Sequence, residues 1–179
     1  MEIKVVISGS FRKHLSEIGK ASSKFKDAGV KVLAPLTHEV KNNGADFLIL
    51  TTDDSQKTAD VLEKDFMSKI LESSFLYIAN IGGYIGKSTA AEMCFAILNN
   101  ITIVVAEKID KSSSEMPISL KNILEKSTFS CLPIHTIDSF SISKLCLLKS
   151  APHVLSLKQK EYLNLFINDL LEELKHANI

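Results

Sequence analysis

Short runs of β-branched and other apolar residues alternate with helix-like segments along this chain, and that alternation restricts the fold more than any other feature. The apolar runs predict strands at residues 1–8, 30–34, 46–51, 75–79, 101–106 and 132–137. Apolar residues spaced by three and four predict helices at 14–28, 57–73, 88–98, 118–126 and 156–177. Alternating strands and helices predict an α/β protein with a mainly parallel sheet, in a three-layer Rossmann-like or flavodoxin-like fold.

Length and charge narrow the classes of function. At 179 residues the chain fits a single domain, 1–179. Acidic and basic residues balance at 21 each, so there is no basic surplus, and we expect no nucleic-acid partner. The longest apolar run is far shorter than the roughly 18 residues that cross a membrane, and no leader pattern opens the chain. These features predict no membrane partner and a cytoplasmic location.

The three cysteines, Cys94, Cys131 and Cys146, lie far apart in the chain. They form no C-x-x-C pair, and no His/Cys group has the spacing of zinc ligands. We therefore expect reduced, mostly buried thiols, no metal site and no cofactor.

Two loops rich in glycine and serine are candidates for a ligand site. In open parallel sheets, ligands bind beyond the carboxyl ends of the strands, where both loops are predicted to lie. Small residues let the backbone approach a ligand, and free amides at a helix start attract anionic oxygens. The predicted binding residues of the first loop are Ser8, Gly9, Ser10, Phe11 and Arg12. Those of the second loop are Gly82, Gly83, Tyr84, Gly86, Ser88 and Thr89.

Glu92 and Asp65 are the candidate catalytic carboxylates. Glu92 follows the second loop, and a carboxylate at a crevice can act as a nucleophile or base. Alternatively, Thr89 and Glu92 have the spacing of a helix capping box, and Asp65 is a solvated helix charge. A nucleotide-hydrolysing P-loop is disfavoured because Ile81 stands where that motif requires its first glycine.

The order of these motifs resembles the nucleoside 2-deoxyribosyltransferase family and its nucleotide N-glycosidase relatives. The segment Val6-Ile7-Ser8-Gly9-Ser10-Phe11 is similar to the family's opening segment, and residues 65–70 are similar to its Asp-x-x-x-Ile helix. Residues 86–96 match the nucleophile segment at Thr89, Ala90, Glu92, Phe95 and Ala96. The resemblance covers about residues 3–106, while 107–179 would form the C-terminal part of the same domain.

The resemblance implies cleavage or transfer at the N-glycosidic bond of a nucleoside or nucleoside 5′-monophosphate. Glu92 would be the covalent nucleophile, Asp65 would assist proton transfer, and the protein would assemble as a homo-oligomer. Val6, Ser10, Gly86, Ser88 and Cys94 depart from the family's usual residues. These departures favour a nucleotide N-glycosidase or a non-catalytic nucleotide-binding module over base exchange between nucleosides. A lysine-decarboxylase-like phosphoribohydrolase is a further alternative, although its tighter glycine spacing is not met.

Overall fold

The computed structural model describes residues 2–147 and 153–177, without the side chains of Cys146 and Leu147. Within these residues, five parallel strands form one sheet in the order β2-β1-β3-β4-β5. They are β1 (Lys4–Ser8), β2 (Lys31–Ala34), β3 (Phe75–Ile78), β4 (Ile103–Val105) and β5 (Ser130–Cys131). This arrangement confirms the predicted α/β class, because the strand order is that of flavodoxin-like sheets.

Helices cover both faces of the sheet, as its apolar strands require. They are α1 (Phe11–Asp27), α2 (Ala59–Glu72), α3 (Lys87–Leu98), α4 (Ile118–Lys126), α5 (Ser139–Leu147) and α6 (Leu157–Leu174). Alternate strand residues enter two separate cores. Leu76 and Ile78 of β3 pack with α2, α3, α4 and α6, whereas Phe75 and Tyr77 pack with α1 and α5.

The connections reverse direction between β1 and β3. From β1 the chain passes through α1 to β2 at one edge, and from β3 it passes through α3 to β4 on the other side. Helices α1 and α3 therefore leave the carboxyl edge of the sheet on opposite faces. Such a reversal opens a crevice at that edge, which is where the two candidate loops meet.

Two predicted strands are wrong. Residues 46–51 form a loop with one isolated antiparallel bridge, between Val40 and Leu50. The side chain of Asn42 accepts a hydrogen bond from the Ile49 amide at 2.6 Å, which takes a donor that a sheet would use. Residues 132–137 follow β5 instead of forming it, since Pro133 cannot donate to a ladder.

Helix α5 was not predicted from the sequence. Its start is fixed by Asp138, whose carboxylate accepts a hydrogen bond from the Ser141 amide at 2.7 Å. An aspartate at this position is a recognisable N-cap, so a local signal was present.

The described part of the chain also bears on the thiols and on the membrane prediction. Cys94 is buried as predicted, whereas Cys131 is exposed; the Cys146 thiol lies outside the described side chains. Across the described residues, no helix combines the length and the apolar character needed to traverse a bilayer.

Candidate functional site

Glu92 is a buried carboxyl group at the crevice. It lies on α3, only 6% of its surface is exposed, and it lines a cavity at the carboxyl edge of the sheet. The hydroxyl of Ser8, the last residue of β1, donates a hydrogen bond to its Oε2 atom. The capping-box alternative is wrong: α3 begins at Lys87 after Gly86, and no side chain caps it.

Glu63 of α2 is a second buried carboxyl group in the same cavity. It is 4% exposed, and its Oε1 atom has no hydrogen-bond partner among the described residues. Burial raises the pKa of Glu92 well above its usual value, and the negative charge of Glu63 raises it further. Burial likewise raises the pKa of Glu63, to about 7. Two neighbouring buried carboxyl groups ionise one at a time, so near neutral pH this pair holds one proton.

Sequence reasoning missed Glu63 because the apolar spacing of α2 predicts a buried face of Ala59, Leu62, Phe66, Ile70 and Leu71. The structure buries Ala59 and Ile70 of that face, together with Glu63 and Met67. A signal was available: Glu63 lies one helical turn from both Ala59 and Met67, at the spacing of a buried stripe. A charged residue in such a stripe indicates a function or a buried partner.

Asp65, the carboxylate predicted to assist Glu92, also lines the cavity but is engaged elsewhere. Its Oδ2 atom lies 2.6 Å from the Lys57 ammonium, and 47% of its side chain is exposed. The hydrogen bond from Lys57 to Asp65 raises the pKa of Lys57. Asp65 is thus a surface-facing ion-pair member, and the carboxyl group coupled to Glu92 is that of Glu63.

The cavity has a volume of about 370 Å³, within the range of small-molecule sites. The predicted residues that line it are Gly9, Ser10, Phe11, Arg12, Asp65, Tyr84, Gly86, Ser88, Thr89 and Glu92. The rings of Phe11 and Phe66 meet edge to face, with their centres 6.5 Å apart, and form an aromatic wall. The loop after β2 adds an apolar side through Leu36, Phe47 and Leu48. Ser8 belongs to the site through its hydrogen bond to Glu92.

Gly82 and Gly83 were predicted to bind ligand, but the structure places them outside the residues that line this cavity. The Gly82 amide donates to the Glu107 carboxylate at 3.0 Å, and the Gly83 amide donates to the Asn80 carbonyl at 2.9 Å. A Cβ atom on Gly83 would stand 2.5 Å from the Lys108 carbonyl oxygen. The loop that contains Gly82 and Gly83, called the glycine loop below, therefore packs against the segment that follows β4, residues 107–115, and these two glycines do not line the cavity.

That segment brings Glu115 to the start of α3. Its Oε2 atom accepts a hydrogen bond from the Lys87 amide at 2.8 Å, and its Oε1 atom accepts one from the Tyr84 hydroxyl at 2.7 Å. Burial and this carboxylate raise the pKa of Tyr84 to about 12. The Lys13 ammonium lies 3.6 Å from the centre of the Tyr84 ring. Glu115 thus closes one wall of the cavity.

Within the described residues, no group of three or more His, Cys, Asp or Glu side chains is arranged to hold a metal ion. The comparisons with protein-family models, with curated proteins and with solved structures found no match to this chain. The fold and the site define an α/β protein with a buried carboxyl pair in a ligand-sized cavity. The functional proposal therefore depends on the chemistry of that site.

Proposed function

We propose that this protein cleaves or transfers at the N-glycosidic bond of a nucleoside or nucleoside 5′-monophosphate through a covalent glycosyl intermediate on Glu92. The carrying observation is the buried pair of Glu92 and Glu63, which faces a cavity of about 370 Å³ at the switch point of the sheet. Glycoside chemistry uses two carboxyl groups, one ionised and one protonated. A pair that holds one proton supplies both forms near neutral pH.

Ser8 stabilises the ionised form of Glu92. Its hydroxyl donates to Glu92, and a hydrogen bond to a carboxylate lowers the pKa of that group. In the free site the shared proton lies on Glu92, because burial, the negative charge of Glu63 and the hydrogen bond with Glu63 all raise the pKa of Glu92. Before the glycosidic bond breaks, this proton must move to Glu63, which leaves Glu92 ionised. In this proposal Glu92 is the nucleophile and Glu63 takes the proton-transfer role that the sequence predicted for Asp65.

The reaction divides into two steps. A carboxylate oxygen of Glu92 forms a bond to the anomeric carbon while the bond from that carbon to the base nitrogen breaks. The electron pair of the broken bond leaves with the base, which receives the proton of Glu63. The oxygen of water, or a ring nitrogen of an acceptor base, then attacks the anomeric carbon and gives its proton to Glu63. The bond between the anomeric carbon and the Glu92 oxygen breaks, which releases Glu92 as carboxylate.

The walls of the cavity suit the two halves of such a ligand. Phe11 and Phe66 offer aromatic surface for a planar base, and Leu62 adds apolar contact beside them. The amides of Ser88 and Thr89, near the start of α3, make no hydrogen bond to the described residues. We assign these donors to the sugar hydroxyl oxygens, next to Glu92.

The test is a chromatographic assay of purified protein with ribo- and deoxynucleosides and their 5′-monophosphates, with and without an acceptor base. We expect wild-type protein to release free base and Glu92→Gln to release none, because an amide is a poor nucleophile. Glu125→Gln, which removes an exposed carboxylate on α4, is the matched control and should stay active. Circular dichroism melts of both variants verify folding.

The outcomes separate the competing functions. Base release only when acceptor is added indicates a transferase, and release without it indicates a hydrolase. Full activity in a folded Glu92→Gln variant would eliminate the nucleophile assignment. If no nucleoside or nucleotide is consumed but one raises the melting temperature, the protein is a binding module with the fold of an enzyme.

A further inference from the structure

We propose that Glu115 makes the cavity selective for an uncharged nucleoside and disfavours its 5′-monophosphate. This inference rests on the proposed function for the class of ligand and decides between the two forms left open there. The carrying observation is that a carboxylate of the protein already binds the first amide of α3, so that a phosphoryl group approaching the amides beside it would meet a full negative charge.

The start of a helix attracts anions because its free amides carry a partial positive charge. In this protein the first amide of α3, that of Lys87, is bonded to the Glu115 carboxylate at 2.8 Å. The same carboxylate is fixed by the Tyr84 hydroxyl at 2.7 Å. A full negative charge more than offsets the roughly half charge of a helix end, so a phosphoryl group approaching there meets repulsion.

Two of the cations that would attract a phosphoryl group are already paired with carboxylates. The Lys87 ammonium contacts both carboxylate oxygens of Glu173, on α6, at 2.5 and 2.6 Å. Lys57 is paired with Asp65 at 2.6 Å. These contacts neutralise two of the four basic side chains that line the cavity.

The overall charge of the cavity acts in the same direction. Seven carboxyl groups line it against four basic side chains, so it remains negative even with one proton on the Glu63–Glu92 pair. A dianionic 5′-phosphate would enter a negative field, whereas a nucleoside adds no charge.

Binding is measured by calorimetry in the Glu92→Gln protein, which avoids turnover. The probes are 2′-deoxyadenosine and thymidine, each with its own 5′-monophosphate. We expect each nucleoside to bind at least about tenfold more tightly than its monophosphate at low salt, with a smaller gap at high salt. Adding Glu115→Gln, which keeps the shape and removes the charge, should strengthen monophosphate binding and narrow the gap several-fold. Adding Glu125→Gln, outside the cavity, should leave the ratio unchanged.

Each result decides the inference. Monophosphates that bind as tightly as nucleosides, or a ratio that Glu115→Gln does not move, would overturn it. Absence of binding by all four probes would overturn both this inference and the proposed function. Base release by wild-type protein reports on the function separately: preferential release from monophosphates refutes only the selectivity. The predicted binding ratio without any base release refutes only the catalysis.

Discussion

The hydroxyl of Ser8 donates a hydrogen bond to the carboxylate of Glu92, a residue 84 positions later in the chain. Ser8 ends β1 and Glu92 lies on the helix that follows β3, and these two strands are neighbours in the sheet. The bond therefore spans the switch point itself. It is the contact through which the first strand influences the ionisation of the proposed nucleophile.

Replacing Ser8 with alanine should raise the pKa of Glu92, because the lost hydrogen bond is the contact that lowers it. A smaller fraction of Glu92 is then ionised at a given pH. We expect the acid limb of the pH–rate profile to move to higher pH, and base release near pH 6 to fall about tenfold, since bonds to charged groups are worth about 1.5–3 kcal/mol. Ser22→Ala, at a buried serine of α1, is the control. An unmoved acid limb would contradict the assignment.

Glu63→Gln should change how stability depends on pH. The folded-state pKa of Glu63, about 7, lies above its ordinary value of 4.5. A raised pKa means that the folded protein favours protonated Glu63. The stabilisation from this protonated form is complete below about pH 4.5 and is lost as pH rises through about 7. Glutamine does not titrate, so the free energy of unfolding of the variant, relative to that of wild type, should increase by on the order of 1 kcal/mol or more between pH 5 and pH 8. Urea unfolding at both pH values measures the gain.

The matched control for that experiment is again the exposed Glu125, whose replacement by glutamine should not alter the pH dependence. An equal free-energy difference between wild type and Glu63→Gln at pH 5 and at pH 8 would show that Glu63 is not a raised-pKa group. It would also remove the basis for the shared proton.

Glu63→Gln and Asp65→Asn should differ in their effect on catalysis. If Glu63 carries the proton to the base, its loss should reduce kcat about a hundredfold, the usual minimum for a general acid. Asp65 is half-exposed and paired with Lys57, so Asp65→Asn should cost less than about tenfold. Steady-state base release with the best nucleoside measures both. The reverse order would return the role to Asp65.

Alanine at Gly83 should destabilise the protein more than alanine at Gly82. Both glycines have positive φ, 76° and 64°, so both substitutions carry backbone strain. Only at Gly83 would the new Cβ atom also stand 2.5 Å from the Lys108 carbonyl oxygen, whereas at Gly82 it meets open space. We expect the Gly83 variant to be less stable than the Gly82 variant by about 1–3 kcal/mol in urea unfolding. Equal losses would contradict this account.

The sequence was sufficient for β1 to β4, because these strands read as short, nearly continuous apolar runs, but not for β5, whose two residues carry no such run. It was also sufficient to place Glu92 in a crevice, because α3 follows a loop at the carboxyl edge of the sheet. It was not sufficient for the contacts that shape the site. The stripe at Ala59 and Met67 marks Glu63 as buried, but no local pattern specifies which groups Glu63 and Glu115 meet in the cavity.

The glycine loop was predicted to bind a ligand, but the structure uses it to pack another segment of the chain. Its composition predicts a place for a ligand, but small residues also permit close packing of the chain against itself. In this fold the second use applies, because residues 107–115 lie over Gly83. Composition alone does not distinguish an incoming ligand from an incoming backbone.

Residues 107–115 pack against the glycine loop and form a wall of the cavity that is not part of the sheet. The segment is held by the Glu107 carboxylate, by the Asp110 amide on the Gly83 carbonyl, and by the Ser113 hydroxyl on the Ile85 carbonyl. None of these contacts involves a residue of a strand. On the proposed function, ligand preference would therefore change by exchanging one loop, while the buried carboxyl pair and the scaffold that raises its pKa values stay as they are.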